Sequence, residues 1–214
     1  MITPNLKGIL DGVNRIQPSL GLMLIASILE REGHTVKIYD SALDGWENKK
    51  LIDPKNKVVM IGQSDDKIAK AISNFSPDIV AISVLFSNLL ESAHNIAKIV
   101  KKVKKNTTVV LGSNHISNMV TDYNISLIDK KSNLPNFIKD LENDYFDFAL
   151  TGEGEFSFTE LANALLNGND ISKIPGLVKR IDNKKYLINH PTRIHDLNTL
   201  PRPARHLVDM ESYF

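Results

Sequence analysis

The chain contains no cysteine among its 214 residues. A disulfide framework, a thiolate zinc site, a cysteine nucleophile and a cysteine-held iron–sulfur cluster are therefore excluded from it. An excess of either charge is lacking too: 26 basic side chains stand against 25 acidic ones, a net charge of +1. That balance gives no global drive toward nucleic acid or an anionic membrane, and neither is expected as a partner. The longest apolar run, residues 20–29, is broken by Gly21 and Ser27 and is too short to span a bilayer. The opening Met1-Ile2-Thr3-Pro4-Asn5 lacks the charged and apolar regions of a signal peptide, so a cytoplasmic location is expected. What remains is ordinary: 42% hydrophobic and 24% charged residues, enough for a real core.

Strand-like and helix-like segments alternate. Residues 20–32 place Leu20, Leu24, Ile25, Ile28 and Leu29 on one helical face, and Gly33 supplies a stop. Residues 35–39 have strand composition and end at the polar pair Asp40-Ser41. Residues 43–63 are hard to read, with a turn at 53–56 and a short strand at 58–61. Ser64-Asp65-Asp66 opens a helix whose buried stripe is Ile68, Ile72 and Phe75. Residues 79–82 form an almost unbroken apolar strand, the kind covered on both faces. A helix bearing Leu89, Ala93, Ile96, Val100 and Val103 follows, with Lys98, Lys101, Lys102, Lys104 and Lys105 read as a solvated face. A buried strand spans 107–111, and Pro135 suits the first turn of a helix over 135–141. A strand at 146–150 runs into a helix bearing Phe158, Leu161 and Leu165, closed by Gly168. The pattern predicts an α/β fold, a doubly wound parallel sheet. Residues 176–188 read as a β-hairpin, and residues 191–214, with three prolines and no convincing helix, as a docked or connecting segment.

In an open parallel sheet, ligands bind outside the carboxyl ends of the strands. That rule selects Pro4-Asn5, Asp40-Ser41, residues 83–88, residues 112–115 and residues 151–155, all rich in small and hydroxyl side chains. Familiar motifs are missing. There is no phosphate loop of the Walker type, no G-x-G-x-x-G after the first strand, no H-E-x-x-H zinc pair and no G-x-S-x-G elbow. Gly152-x-Gly154 precedes a helix, but its two glutamates would repel a phosphate, so it suits a turn or a neutral ligand.

Ser83-Val84-Leu85, separated by residues 86–111 from Gly112-Ser113, resembles the S-x-L and G-G elements of corrinoid-binding domains of the methionine synthase type. Their D-x-H-x-x-G element falls just before the first helix: Gly21 is the counterpart of its glycine, Ile16 takes the aspartate position and Pro18 the histidine position. The departures match a subfamily better. The chain resembles the N-terminal cobalamin-binding domain of B12-dependent radical SAM proteins, the group of the anaerobic magnesium-protoporphyrin monomethyl ester cyclase. The matching stretches are Pro18-Ser19-Leu20-Gly21-Leu22, Arg31-Glu32-Gly33-His34, residues 77–83, Gly112-Ser113-Asn114-His115 and Gly152-Glu153-Gly154-Glu155. In the tail they continue as Ile174-Pro175-Gly176-Leu177 and Leu200-Pro201-Arg202-Pro203-Ala204-Arg205, in the right order.

The resemblance implies a flavodoxin-like or Rossmann-like B12-binding fold over residues 1–168. Residues 169–214 then form a hairpin and linker toward a C-terminal radical SAM domain of the same protein, absent from this chain. Its cofactor would be cobalamin, with the corrin ring over the carboxyl edge of the sheet and the nucleotide tail threaded between strands and helices. Ser83 would meet the tail and Gly112 would leave it room. Asn5, Ser19, Gly21, Leu85, Ser87, Ser113, Gly152 and Gly154 complete the expected surround, while Glu153, Asn114 and His115 are candidates for the corrin amides. Proline has no nitrogen lone pair to give a metal, so Pro18 implies a base-off cobalamin without a histidine lower ligand, unless His115 or water takes that face. S-adenosylmethionine and a 4Fe–4S cluster belong to the full-length enzyme, of methyltransferase or oxidative cyclase type; this chain supplies neither a catalytic residue nor a metal ligand and alone should be inactive. Two other readings remain open at this point: a stand-alone corrinoid carrier, and a degenerate flavodoxin-like interaction domain that binds no cofactor.

Overall fold

The computed structural model describes residues 1–129, 145–182 and 185–214; the helix expected over 135–141 lies outside the described residues. The principal sheet has seven strands: β1 (Ile2–Thr3), β3 (Tyr39–Asp40), β6 (Ile79–Ser83), β7 (Thr108–Gly112), β8 (Phe148–Leu150), β9 (Leu177–Asp182) and β10 (Lys185–Ile188). Their spatial order is β10-β9-β8-β7-β6-β1-β3. The five strands from β3 to β8 are parallel, and β9 and β10 add an antiparallel hairpin at the β8 edge. Counting parallel strands alone, the order is second, first, third, fourth, fifth, which is flavodoxin-like winding with its reversal between β1 and β6. The expected doubly wound α/β architecture is present, and the hairpin is built into the same sheet.

Side chains alternate across this sheet with the period of two that pleating dictates. Val80, Ile82, Val109, Leu111, Ala149 and Val178 enter one core with α3 (Asp65–Phe75), α4 (Leu90–Val103) and α5 (Asn114–Asp129). Ala81, Val110, Phe148, Leu150 and Leu177 enter the other with α1 (Leu20–Arg31) and the helix Gly154–Asn167, here α6. Both faces are covered, which is why the central strands read as continuous apolar runs.

Several local expectations shift. The strand expected over 35–39 shrinks to Tyr39–Asp40, because its neighbour β1 offers only Ile2 and Thr3 for pairing. On α1 the buried residues are Leu22, Met23, Ala26, Ile28 and Leu29, and Leu20 is exposed. The reason is a second covering: the tail reaches α1, where Ala204 N–H donates to Met23 O at 3.0 Å. Phe75 and Val103, at the last turns of α3 and α4, are also exposed. The lysine face is partly engaged, with Lys101 bonded to Asp147 at 2.6 Å and Lys104 to Ser76 O and Pro77 O at 3.0 Å.

The segment that is hard to read in sequence forms a second, three-stranded antiparallel sheet, β2-β5-β4, from β2 (Leu6–Ile9), β4 (Lys49–Asp53) and β5 (Val58–Ile61). It stands just past the carboxyl end of β1. Val59 and Ile61 of its central strand are fully buried, and β2 is tied to α4 by the Lys7–Glu91 ion pair. Its exit sends residues 10–19 back toward the principal sheet, with Asn14 bonding both the N–H and the C=O of Ile9.

Candidate functional site

The carboxyl ends of β1, β3, β6, β7 and β8 open onto a cleft of about 1110 Å³, above the ~300–1,000 Å³ of ordinary small-molecule pockets. It sits at the switch point and extends inward between the sheet and the α1–α6 pair. Alternation puts Ser83 and Gly112 on the same face as Ala81 and Val110, so all four point toward that inner space, where Ile25, Leu150 and Phe158 complete an apolar wall.

Of the residues expected at a site, Pro18, Ser19, Gly21, Ser83, Leu85, Gly112, Ser113, Asn114, Gly152, Glu153 and Gly154 line this cleft. Asn5, Ser87 and His115 do not. The Asn5 amide faces the small sheet, accepting from Ser41 Oγ at 2.5 Å and donating to Gln63 O at 2.9 Å. Ser87 opens an exposed single turn before α4. His115 N–H donates to Val84 O at 3.2 Å, which seats the first turn of α5.

The floor is bare backbone. A Cβ on Gly21 would meet nothing within 4 Å, one on Gly112 nothing nearer than Leu150 O at 3.8 Å, and one on Gly154 only Ile25 Cδ1 at 3.5 Å. Here the glycines keep ligand space open. Gly152 differs: its φ is +77°, and a Cβ there would lie 2.4 Å from Pro191 Cβ. Ser113 replaces a glycine of the corrinoid pattern yet keeps a φ of 90°, a region that an L side chain enters only with strain. The mouth is apolar, with Leu20, Leu85 and Phe86 exposed around it.

Two further stretches close the cleft: Arg15 and Gln17, which flank the Ile16 already matched to the corrinoid motif, arrive on the loop from β2, and Pro191, Thr192 and Arg193, which the sequence did not place at a site, arrive from the tail. Glu153 holds that tail, its Oε2 accepting from Ile194 N–H at 2.5 Å. The signal that could have found the tail was Gly152, where a side chain would collide with Pro191. At the β3 end Asp40 is buried, and burial pushes its carboxyl above the ordinary carboxylate range. Bonds from Tyr213 O–H at 2.7 Å and from the backbone N–H of Leu43 and Ala42 oppose that rise.

Residues 6–130, more than half of the chain, match the model of the B12 binding domain family. A cytidylyl-2-hydroxyethylphosphonate methyltransferase of Streptomyces wedmorensis is 29% identical over 91% of this chain and 37% of its own length. An uncharacterised methyltransferase of Pyrococcus horikoshii is 30% identical over 100% of this chain and 39% of its own length. The chain thus spans about two fifths of these curated relatives. Among solved structures, the cobalamin-dependent S-adenosylmethionine radical enzyme OxsB, with aqua-cobalamin and S-adenosylmethionine bound, superposes with a TM-score of 0.62. That match is 13% identical and covers 95% of this chain and 23% of OxsB. The radical S-adenosylmethionine methyltransferase TsrM from Kitasatospora setae, with cobalamin and a 4Fe–4S cluster bound, gives a TM-score of 0.55 at 18% identity, over 97% of this chain and 33% of TsrM. These two likenesses establish a shared fold. No helix among the described residues is long and apolar enough to cross a membrane.

Proposed function

The chain belongs to the B12-binding domain family, and on that premise we propose that it is the cobalamin-holding module of a B12-dependent radical S-adenosylmethionine enzyme. The observation that carries this reading is the cleft itself. A long, glycine-floored, apolar-walled space at the switch point widens into an apolar mouth, which suits a large flat ring with a slender tail. The match to methyltransferases over only 37% and 39% of their lengths supports the second half: a catalytic domain carrying the cluster and the S-adenosylmethionine site would occupy the remainder.

The residues present fit the cofactor. Ser83 would bond the nucleotide tail, and Gly112 and Gly154 would let it pass between sheet and helices. Gly21 and Ser19, at the start of α1, would border it on the other side. Leu20, Leu85 and Phe86 would cover apolar parts of the corrin ring and exclude water from it. Glu153, by fixing Ile194, would keep Thr192 and Arg193 at the rim. When bound, the corrinoid supplies a cobalt centre able to carry a methyl group. Pro18 offers it no nitrogen donor and His115 does not line the cleft, so the cofactor would be held base-off with no imidazole from this chain.

Titration with hydroxocobalamin, followed by visible absorption, tests the proposal. Near-stoichiometric binding with a base-off spectrum is expected. Failure to bind at high micromolar cofactor would sink it.

A further inference from the structure

Buried polar atoms nearly always find a partner, and one left without costs stability. Two residues at the cleft break that rule: Thr3 Oγ1, at the end of β1, and Glu155 Oε2, in the first turn of α6, are shut off from solvent and bond nothing among the described residues. Gln63 Oε1 shares the condition but lies outside the cleft lining. Thr3 and Glu155 both line the cleft at the carboxyl edge of the sheet, one from the end of β1 and the other from the first turn of α6.

Resting on the corrinoid reading above, we propose that Thr3 and Glu155 receive hydrogen-bond donors of the ligand's buried part, so that this side of the cleft selects an uncharged, donor-bearing segment. A carboxylate oxygen accepts, which calls for an O–H or N–H on the ligand and disfavours a phosphate beside it. In a cobalamin that chemistry has two sources, the ribose hydroxyl of the nucleotide and the amides of the corrin periphery. Glu153, the glutamate that stands out first in sequence, is not the one available: its Oε2 is engaged with Ile194. Glu155 keeps an oxygen with no partner among the described residues.

The test pairs two measurements on the full chain and on Glu155→Leu, Glu155→Gln and Thr3→Val. Titration with hydroxocobalamin is expected to show about tenfold weaker binding for Glu155→Leu, about fivefold for Thr3→Val, and partial recovery in Glu155→Gln through its carbonyl. Thermal melting without cofactor is expected to run the other way, with Glu155→Leu and Thr3→Val melting at or above the parent, since each removes an unpaired buried oxygen. The same titration with dicyanocobinamide, which has the amides but no nucleotide, separates the sources. Loss of the Glu155→Leu effect assigns the ribose hydroxyl, and its persistence assigns a corrin amide. Unchanged cobalamin binding in the variants, or a lowered melting temperature alongside weaker binding, overturns the inference while the corrinoid reading stands. A parent chain that binds neither corrinoid overturns both.

Discussion

Tyr213 and Asp40 lie 173 positions apart in the chain and meet at 2.7 Å beside the cleft. Burial and the neighbouring Asp40 raise the Tyr213 phenol above its ordinary value of 10.0, and burial pushes Tyr39 up to about 12. A folded-state value above the unfolded one means that the folded chain holds that proton more tightly. The contribution is therefore complete below pH 10 and is lost as pH rises through the folded value. Tyr213→Phe should lower stability by roughly 1–2 kcal/mol in urea unfolding and remove one late-ionising phenol from an ultraviolet titration. Loss instead of a phenol that ionises near the ordinary 10.0 would mean that the bond does not form. Ser113, held at φ 90°, leads to the opposite sign: Ser113→Gly should stabilise by about 1 kcal/mol, read as a higher urea midpoint at constant slope. Pro18 sits in the cleft where the corrinoid pattern has histidine, so Pro18→His should shift bound cobalamin toward a histidine-ligated visible spectrum. A spectrum identical to the parent's would remove Pro18 from the metal's lower face.

At the level of elements, the tail behaves as a strap. Ser27 O–H donates to Arg202 O at 2.5 Å, Ala204 is buried, His206 reaches Glu30 at 3.0 Å, and Pro191 stacks against Gly152. Gly152→Ala adds a methyl where Pro191 leaves no room and places it on a left-handed residue, at a cost of roughly 2–3 kcal/mol. The expected readout is faster tryptic cleavage at Arg193 and Arg205; cleavage as slow as the parent's would show that the strap does not depend on that contact. Elements with strong periodicity were legible beforehand. These are β6, β7, α6 and the β9–β10 hairpin, each of which buries a face that its own spacing announces, whereas α1 is legible as a helix but not by its buried face. Ile116, Met119, Val120 and Tyr123 of α5 follow the same helical spacing. β4 could not be read at all. Lys49, Lys50, Leu51 and Ile52 are every one exposed, so no alternation marks it, and β5 beside it is recruited by β2 from some fifty positions away.

In the whole molecule, the hairpin belongs to the sheet that carries the cleft. Ala149 and Leu150 of β8 pair with Val178 and Leu177, both fully buried. A chain ending at residue 168 would leave β8 as an open apolar edge, a template for strand pairing between molecules. Such a truncation should oligomerise in size-exclusion chromatography and bind a hydrophobic dye; a monomer melting with the parent would show the hairpin to be dispensable. By itself the sequence determined that a parallel, two-faced sheet exists and which strand ends face its ligand edge, because burial periodicity and the glycine and serine stops are local properties. It also excluded, through the missing cysteines, any iron–sulfur cluster held by these residues. Only the tertiary structure decided that Arg15, Gln17 and residues 191–193 close the cleft, that Glu153 fastens the tail, and that Glu155 and Thr3 keep unpaired oxygens beside it. Those outcomes depend on contacts between segments distant in the chain, and no local pattern of hydrophobicity or charge encodes which distant partner a polar side chain will find.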